Sequence, residues 1–400
     1  MENGYSKSDA ERWAYMALVC AAFCCGFSPV VAGRSFLAIS LLLLMVHLFM
    51  TRSYIVMPLT ARLWVTFIIL AIFSTAMGPA PARGFGNMSK LSWFIGIPLC
   101  ATLVTSIWRL SDLLRAYALG SAIGALRVIV CNPVIAWQNV RDGKASGYMW
   151  AILDLGSMDS AQIFMLGIVI SLGFVWMCHR AKKGSAFWWT LLVIQTVALI
   201  LMFKRGSWVC ACLAVVAFVI FKTNWRYLLL LIVVIAGFVA LPPVRARVVD
   251  LKSEWNVDKG GRMTMWLKIA PALRAQYPLG IGYQVLTNEM MRKIEPRVER
   301  DRKHLHSNVV QVLVDTGWAG LLVFLVWMGK ALFDAAWIMW KTRGGQPLCE
   351  MFSVVLFLML AALFLNGFVE YNFGRAPIVP AYGIIIGCIA AGRRLVSSHV

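Results

Sequence analysis

A long polar segment, from Pro242 to His306, carries the side chains whose chemistry is easiest to interpret. It contains thirteen Lys or Arg residues and ends in His304-Leu305-His306, directly before a hydrophobic run. Cations at this density can hold phosphate groups, and a neutral imidazole can take a proton from a hydroxyl near pH 7. The residue types therefore indicate the handling of a phosphorylated substrate at a boundary between water and lipid.

Arg262 opens the helical part of this segment. It follows two glycines and begins an amphipathic pattern in which Met265, Ile269 and Leu273 are apolar at helical spacing. Backbone N–H groups at the first turn of a helix favour an anion, and an arginine beside them adds a bidentate grip on phosphate. The alternative is that Arg262 contacts only lipid headgroups or solvent. A second, polar helix is expected over 288–300.

Two further segments supply candidate side chains for the same phosphate-handling site. Lys204-Arg205 lies between two apolar runs, where a cation is costly unless it snorkels or is paired. We expect Arg205 on a rigid helix end, aimed at the polar segment, with snorkelling as the alternative. His306 is nearer the following helix than His304 and is better fixed, although it would also suit a helix cap. No carboxylate stands at clear ligand spacing, so no metal site is predicted.

Some polar residues in the short loops are also candidates. Glu370 and Arg375 flank Tyr371 in the loop before the last predicted helix, and we expect the two charges to pair with each other. Arg83 and Lys90 belong to a short loop and are further candidates for binding anions.

The whole chain has the composition of a helical membrane protein. Of its 400 residues, 60% are hydrophobic and 14% charged, against about 25% charged in soluble domains. Apolar runs of about 20 residues predict an all-α polytopic bundle, whereas a transmembrane barrel would show short alternating segments. The net charge of +20 is spread over helix ends and one loop, which suits lipid headgroups and phosphorylated ligands better than nucleic acid. The ten cysteines lie almost all in apolar runs and predict neither disulfides nor a zinc site.

Apolar runs of spanning length predict about twelve membrane helices. Their approximate spans are 13–33, 35–51, 63–79, 91–108, 113–136, 159–178, 186–203, 206–221, 226–241, 308–329, 350–369 and 377–391. The first run is expected to be a membrane helix and not a cleavable signal. This divides the chain into nine helices over 1–241, a polar loop with short helices over 242–306, and three helices with a tail over 307–400.

The distribution of cations orients the predicted bundle. With the N-terminus inside, the short cytoplasmic segments hold fifteen Lys or Arg residues and the short outer segments hold eight. Cytoplasmic loops carry the excess of positive charge, so both termini are expected in the cytoplasm and the 242–306 loop outside.

Three motifs resemble, in order, those of the O-antigen ligase family in the O-antigen ligase and polymerase superfamily. The run Lys204-Arg-Gly-Ser-Trp208 is similar to that family's Ser-Arg-Gly opening of a helix. Gly261-Arg-x-x-x-Trp266, with the following Tyr-Pro-Leu-Gly-Ile-Gly, resembles a second motif. The run from His306 to Gly320 resembles its His-Asn-x-x-x-Gln-Leu-Leu-x-Glu-Thr-Gly-x-x-Gly segment. Ser307 replaces the usual Asn of that segment, and Lys204 stands where Ser or Thr is usual.

The resemblance implies a type C glycosyltransferase-like fold and an inverting, metal-independent transfer without a cofactor. The donor would be a glycan on undecaprenyl pyrophosphate, and the acceptor lipid A–core oligosaccharide, at the periplasmic face of the bacterial inner membrane in lipopolysaccharide biosynthesis. By motif, the family's essential arginines fall on Arg205 and Arg262, and its histidine falls on His306. The side chains expected to bind substrate are Lys204, His304, Arg297, Arg300 and Arg302.

Three other functions remain open at the level of sequence. An O-antigen polymerase of the same superfamily would use the same lipid carrier, although polymerases often have two sizeable outer loops and one is predicted here. A protein O-oligosaccharyltransferase would differ only in its acceptor. A transporter of lipid-linked glycans needs polar groups through the membrane, and apart from Arg127 and Lys330 the predicted helix middles are almost free of charge.

Overall fold

The computed structural model describes residues 9–27, 30–143, 157–223, 225–240, 261–298 and 304–397, and these are helical for most of their length. The helices are α1 Asp9–Phe27, α2 Val30–Thr51, α3 Leu59–Met77, α4 Pro81–Met88, a 3₁₀ turn Leu91–Ile95, α5 Gly96–Leu103, α6 Ile107–Arg141, α7 Met158–Arg180, α8 Ala186–Leu201, α9 Arg205–Lys222, α10 Trp225–Ala240, α11 (Arg262–Thr264, a π turn Met265–Ile269, and Ala270–Gln276), α12 Asn288–Ile294, α13 Asn308–Lys341, α14 Pro347–Val369 and α15 Val379–Ser397. The described part of the chain contains no strand.

The molecule is an all-α, polytopic membrane protein, as its composition predicts. In the described residues, eight helices are long and apolar enough to cross a membrane: α2, α3, α6, α7, α9, α13, α14 and α15. The other four predicted spans coincide with α1, the 3₁₀ turn and α5, α8, and α10. The 3₁₀ turn, α5, α8 and α10 have 5, 8, 16 and 16 residues, fewer than the 18 or more of the eight spanning helices. The helix α1 has 19 residues but carries Asp9, Glu11 and Arg12 in its first turn.

The predicted span 91–108 is the clearest difference from the sequence-based picture. It folds as the 3₁₀ turn Leu91–Ile95 followed by α5, which ends at Leu103. Pro98 cannot donate a backbone hydrogen bond, and such a residue is best accommodated in the first turn of a helix. An apolar run of spanning length therefore folds here as two short pieces. They are packed inside the protein, where Phe94, Ile97 and Leu99 are fully buried.

The most deeply buried of the eight spanning helices are α7, α15 and α14. Of the most apolar 18-residue window of α7, 89% is buried inside the protein. One part of the core is aromatic. Phe373 lies with its ring centroid 4.8–6.1 Å from those of five buried aromatic residues: Phe67, Phe94, Phe324, Trp327 and Tyr382. Offset and edge-on aromatic pairs at these distances stabilise a packed core beyond their buried area. They anchor the loop between α14 and α15.

The helix α13 is not continuous. Gly317 has φ 69° and ψ −171°, which breaks the helical backbone between Thr316 and Trp318. A Cβ atom on Gly317 would lie 3.1 Å from the backbone carbon of Leu279, so a loop packs directly into the break. Gly280 in that loop has φ 100°, and a Cβ there would lie 2.4 Å from the carbonyl oxygen of Asp315. Only glycine fits these positions without strain.

This packing predicts the effect of Gly280→Ala. The substitution adds a Cβ at a left-handed backbone position and against another backbone, so we expect a loss of at least about 2 kcal/mol of stability. Gly86→Ala is the matched control, because a Cβ on Gly86 in α4 meets no atom within 4 Å. Thermal unfolding in detergent should show a lower midpoint for Gly280→Ala alone. Equal midpoints for the two variants would contradict this packing.

Contacts between helix termini define two ends of the bundle. At the loop end (residues 74–90, 204–208, 280–298, 304–308 and 366–377), Ser74 Oγ donates to the carbonyl oxygen of Asp315 at 2.5 Å. The opposite end is held by Arg109–Glu11 at 2.6 Å and by the buried ion pair Lys222–Glu350. The polar segment and the sequence motifs therefore lie together at one end, and the chain termini of the described part reach the other.

Candidate functional site

The described part of the polar segment has a small hydrophobic core of its own. Met265, Ile269 and Leu273 of α11 are buried, as their helical spacing predicts. They pack with apolar residues from the following loop, α12 and α13, among them Ile281, Val285, Leu286, Met291, Leu305 and Val314. The helix α12 ends at Ile294, earlier than the expected 288–300, because Pro296 follows. The segment is thus a folded layer that covers the loop end.

A chain of hydrogen bonds joins the motif residues to one another. Trp266 Nε1 donates to the Leu305 carbonyl at 2.7 Å, and the Leu305 N–H donates to Gln311 Oε1 at 2.8 Å. Gln311 Nε2 then donates to Asp315 Oδ1 at 2.7 Å, while the Gln284 N–H donates to Asp315 Oδ2 at 3.0 Å. These hydrogen bonds hold the backbone of Leu305, the residue before His306, and thereby position His306. Their role is structural.

Arg262, His306 and Glu370 form one cluster, which we call the Glu370 cluster. His306 Nδ1 lies 3.2 and 3.4 Å from the two carboxylate oxygens of Glu370. Arg262 Nη2 donates to Glu370 Oε2 at 3.4 Å. The exposed fraction of the side chain is 18% for Arg262, 19% for His306 and 8% for Glu370. The buried carboxylate therefore holds a guanidinium on one side and an imidazole on the other.

The charge state of Glu370 follows from these neighbours. Burial by itself raises the pKa of Glu370, but the hydrogen bond to His306 and the electrostatic effects of His306, His304 and Arg262 outweigh it and lower the pKa below 4.5. The carboxylate is therefore ionised at neutral pH and accepts hydrogen bonds only. In the hydrogen bond with Glu370, Nδ1 of His306 carries the proton, which leaves Nε2 as the basic nitrogen.

This pKa predicts how stability depends on pH. A carboxylate whose folded pKa is lowered stabilises the fold fully above its ordinary value of 4.5, and the contribution is lost as pH falls through the folded value. Glu370→Gln should therefore lower the unfolding midpoint at neutral pH and flatten its decline below about pH 4. Glu289→Gln, at a carboxylate 79% exposed, is the control. Parallel pH curves for wild type and Glu370→Gln would refute this assignment.

The two histidines are held differently. His306 has φ 51°, a left-handed conformation that is uncommon for a residue with a side chain and concentrates at functional sites. Its backbone N–H donates to His304 Nδ1 at 3.4 Å, and the two rings lie 4.3 Å apart between centroids. His304 also packs against Tyr371 at 5.6 Å. His306 thus faces Glu370, while His304 stands between His306 and Tyr371.

A buried amide network holds the loop that carries Glu370. Asn308, the first residue of α13, donates through Nδ2 to Asn372 Oδ1 at 2.7 Å. Its Oδ1 accepts from the N–H groups of Asn372 and Phe373 at 2.9 and 3.0 Å. Both amide side chains are buried, so their hydrogen bonds are costly to break. Glu370 and His306 are therefore positioned by the same contact between α13 and the α14–α15 loop.

Arg205 is the first residue of α9, as the motif predicts. A Cβ on the next residue, Gly206, would lie 3.1 Å from Asn366 Nδ2 and 3.6 Å from Val369 Cγ2. Val369 immediately precedes Glu370, so the N-terminal end of α9 adjoins the segment that carries the Glu370 cluster. Lys204 occupies the N-cap position of the same helix. Convergence of the Arg205 side chain on the cluster stays a prediction.

Of the three remaining predicted substrate-binding arginines, only Arg297 lies in the described part of the chain. Arg297 Nε pairs with Glu295 Oε1 at 3.1 Å, and its side chain is 61% exposed. Arg300 and Arg302 lie outside the described residues. Roles for these three arginines stay predictions.

Sequence reasoning missed the partner of His306. The expected pair of Glu370 with Arg375 is wrong, since Arg375 is bidentate with Asp159 at 2.9 and 3.0 Å. The hydrogen bonds to Asp159 raise the pKa of Arg375, and burial, which acts in the opposite direction, only partly offsets them. The sequence feature that could have indicated Glu370 is its place as a lone glutamate at the end of a long apolar run, where an unpaired charge is costly. Its partners could not be identified without knowing which helix ends meet.

The cluster also contains atoms that could hold a metal ion. Ligand atoms of His304, His306 and Glu370 lie within 4.8 Å of one another. Two imidazoles and a carboxylate suit a transition metal, but Arg262 already places a cation on the same carboxylate. A metal at Glu370 would have to stand close to that guanidinium. The sequence-based expectation of metal independence stays a prediction, and a chelator tests it.

These observations define a multi-pass, all-α membrane protein with a buried charged site at one end. Residues 190–325 match the family model described as O-antigen ligase. This part of the chain is therefore similar to the O-antigen ligase family, as the three motifs indicate. The matched range contains Arg205, Arg262, His304 and His306, whereas Glu370 lies beyond it. A comparison with curated proteins returned no match.

Proposed function

We propose that the protein is an O-antigen ligase, which transfers a glycan from undecaprenyl pyrophosphate to lipid A–core oligosaccharide in lipopolysaccharide biosynthesis. The observation that carries this proposal is the Glu370 cluster, with Arg262 and His306 on one buried carboxylate at 3.4 and 3.2 Å. Its arginine and histidine belong to the part that matches the O-antigen ligase model. A diphosphate leaving group and an acceptor alcohol require such a cation and such a base.

Arg262 and Arg205 hold the donor in this mechanism. The anomeric carbon is activated by its bond to pyrophosphate, so the protein has to grip that group and stabilise the charge that grows on it. Guanidinium groups bind phosphate oxygens bidentately and stay charged throughout. Arg262 starts α11 and Arg205 starts α9, so each stands where helix N–H groups also favour an anion.

His306 acts as the base. The acceptor oxygen forms a bond to the anomeric carbon while the bond from that carbon to the pyrophosphate oxygen breaks, and the electron pair leaves with the pyrophosphate. The hydroxyl proton passes to Nε2 of His306. Glu370, on Nδ1, then stabilises the imidazolium and keeps the ring oriented. Attack from the face opposite the leaving group inverts the anomeric configuration.

The proposed location is the bacterial inner membrane, with the site facing the periplasm and both termini in the cytoplasm. The end opposite the loop end is rich in cations, among them Arg109, Arg180, Lys182, Lys183, Lys222, Lys341, Arg343, Arg393 and Arg394. An excess of Lys and Arg marks the cytoplasmic side. The loop end then meets the periplasm, where the lipid-linked donor and the acceptor would be available together.

Reconstituted transfer tests the function. Purified protein in liposomes receives a defined undecaprenyl-pyrophosphate glycan with lipid A–core, with a truncated glycan acceptor on the same carrier, or with a periplasmic protein acceptor. The proposal predicts a product on lipid A–core that is formed equally well with and without EDTA. Elongation of the carrier-linked glycan alone would assign a polymerase, and transfer to protein alone would assign a protein O-oligosaccharyltransferase. Loss of transfer with EDTA and its recovery with added metal would contradict metal independence.

A further inference from the structure

A second polar cavity adjoins the Glu370 cluster at the loop end. Its volume is about 320 Å³, and His304 and Tyr371 form the wall that it shares with the cluster. The volume lies at the lower end of the range for small-molecule sites, about 300–1,000 Å³. Arg83, Lys90 and Arg375 line its other sides. We call it the Lys90 cavity.

The Lys90 cavity has an excess of positive charge. Asp159 is the one carboxylate among the described lining residues, and Arg375 holds it through two hydrogen bonds of 2.9 and 3.0 Å. The charges of Arg83 and Lys90 are left without a carboxylate in the lining. Burial, and then the charges of Arg34, Arg375 and Arg83, lower the pKa of Lys90. Cations that repel one another in a concave site favour a bound anion.

The ammonium group of Lys90 is fixed in the cavity. Its Nζ donates to Asn87 Oδ1 at 3.1 Å and to Gln284 Oε1. Gln284 Nε2 in turn donates to the hydroxyl of Tyr371 at 2.9 Å and to the carbonyl of Gly374 at 2.8 Å. Gln284 thus joins the preorganised ammonium group of Lys90 to the hydroxyl of Tyr371 at the cavity wall. Preorganised donors cost little reorganisation when a ligand binds.

The succession of contacts from Arg262 to the Lys90 cavity indicates which of the two substrates would lie nearer to the cavity. Arg262 contacts Glu370, Glu370 contacts His306, and His306 packs on His304, which packs on Tyr371 at the cavity wall. The cavity thus lies beyond the imidazoles as counted from Arg262. In an inverting displacement the leaving group and the attacking alcohol stand on opposite sides of the anomeric carbon. With the donor diphosphate at Arg262, the acceptor approaches from the side of the cavity.

We propose that the Lys90 cavity binds a phosphate group carried by the acceptor glycan, and that Arg83, Lys90 and Arg375 recognise it. This proposal rests on the proposed transferase function, and it adds a chemical requirement on the acceptor. Guanidinium and ammonium groups bind phosphate through charge-assisted hydrogen bonds, and Arg83 is exposed enough to reach a ligand that enters from solvent. The bound phosphate would place a nearby hydroxyl beside the histidines.

The test uses full-length protein in nanodiscs of neutral lipid and two matched lipid A–core preparations, one bearing phosphate on its sugars and one with that phosphate removed. Wild type should show a KM about 10-fold lower for the phosphorylated acceptor, as expected for charge-assisted hydrogen bonds. Arg83→Gln should raise that KM by a similar factor and leave unchanged kcat, the donor KM and the KM for the dephosphorylated acceptor. Lys293→Ala, on an exposed side chain that pairs with Glu289, is the control and should change none of these values.

Direct binding separates failure of this proposal from failure of the transferase function. If the protein transfers to both acceptors equally well, or Arg83→Gln weakens both equally, the phosphate assignment is overturned while the function stands. If no transfer occurs but wild type binds the phosphorylated acceptor more tightly than Arg83→Gln does, the cavity assignment stands without the function. Nanodiscs containing phosphatidylglycerol provide a last comparison. If the anionic lipid displaces the phosphorylated acceptor, the cavity takes a lipid headgroup and the acceptor assignment is wrong.

Discussion

Replacing His306 by alanine is expected to lower the rate of glycan transfer by about 10²–10⁴-fold, the range for loss of a positioned general base. The fold should survive, since the side chain is partly exposed and its main partner is Glu370. The loss should appear in kcat, because the imidazole takes the proton only as the new bond forms. The donor KM should change little, because Arg205 and Arg262 hold the diphosphate in this mechanism.

His304→Ala is the matched control for this experiment. The two rings lie 4.3 Å apart, so both substitutions remove an imidazole from the same place. His306 Nδ1 lies 3.2 Å from Glu370 Oε1, and in the proposed mechanism its Nε2 is therefore the nitrogen that acts as the base. His304→Ala should retain far more activity than His306→Ala. Full transfer by purified His306→Ala would show that another group takes the proton.

Replacing Arg262 by alanine is expected to cost about 10²–10³-fold in the rate of transfer, as for the loss of one preorganised donor at a developing charge. The substitution also removes a cation from Glu370, which lies 3.4 Å away and is buried. Arg262→Lys keeps the charge but loses the bidentate geometry that suits a diphosphate. It should recover stability more fully than activity.

Two comparisons separate the structural role of Arg262 from its chemical role. Thermal unfolding of Arg262→Ala, Arg262→Lys and wild type measures the effect on the fold, and single-turnover transfer measures the effect on the reaction. Lys293→Ala removes a cation from the same segment at a side chain 74% exposed and should leave both unchanged. If Arg262→Lys transferred glycan at the wild-type rate, the bidentate grip on diphosphate would be excluded.

The parts of the site that the sequence predicts are those set by local spacing. The buried face of α11 follows from the period of Met265, Ile269 and Leu273, and the start of α9 at Arg205 follows from a polar interruption between apolar runs. The motif residues Trp266, Gln311 and Asp315 could be recognised from their order. The bond from Gln311 to Asp315 is an i,i+4 pair within α13, which spacing along a helix allows. The bonds from Trp266 to Leu305 and from Gln284 to Asp315 join separate elements and could not be derived from the sequence.

The parts that the sequence does not predict depend on which helix ends meet. Glu370 is 64 positions from His306 and 108 from Arg262 along the chain. Its partners follow from the packing of α13 against α14, and that packing depends on the amide network of Asn308 and Asn372. The break at Gly317 is similar, since a glycine inside an apolar run indicates a helix equally well until the Gly280 loop is placed against it.

The anomeric configuration of the newly formed bond tests the central claim most directly. Direct attack by an alcohol that His306 deprotonates inverts the configuration of the donor sugar. A nucleophilic carboxylate, for which Glu370 is the candidate in the cluster, would form a glycosyl-enzyme intermediate and retain the configuration. NMR of the product from a donor of known anomeric configuration distinguishes the two. Inversion is the predicted result, and retention would contradict the assignment of His306 as base and Glu370 as its partner.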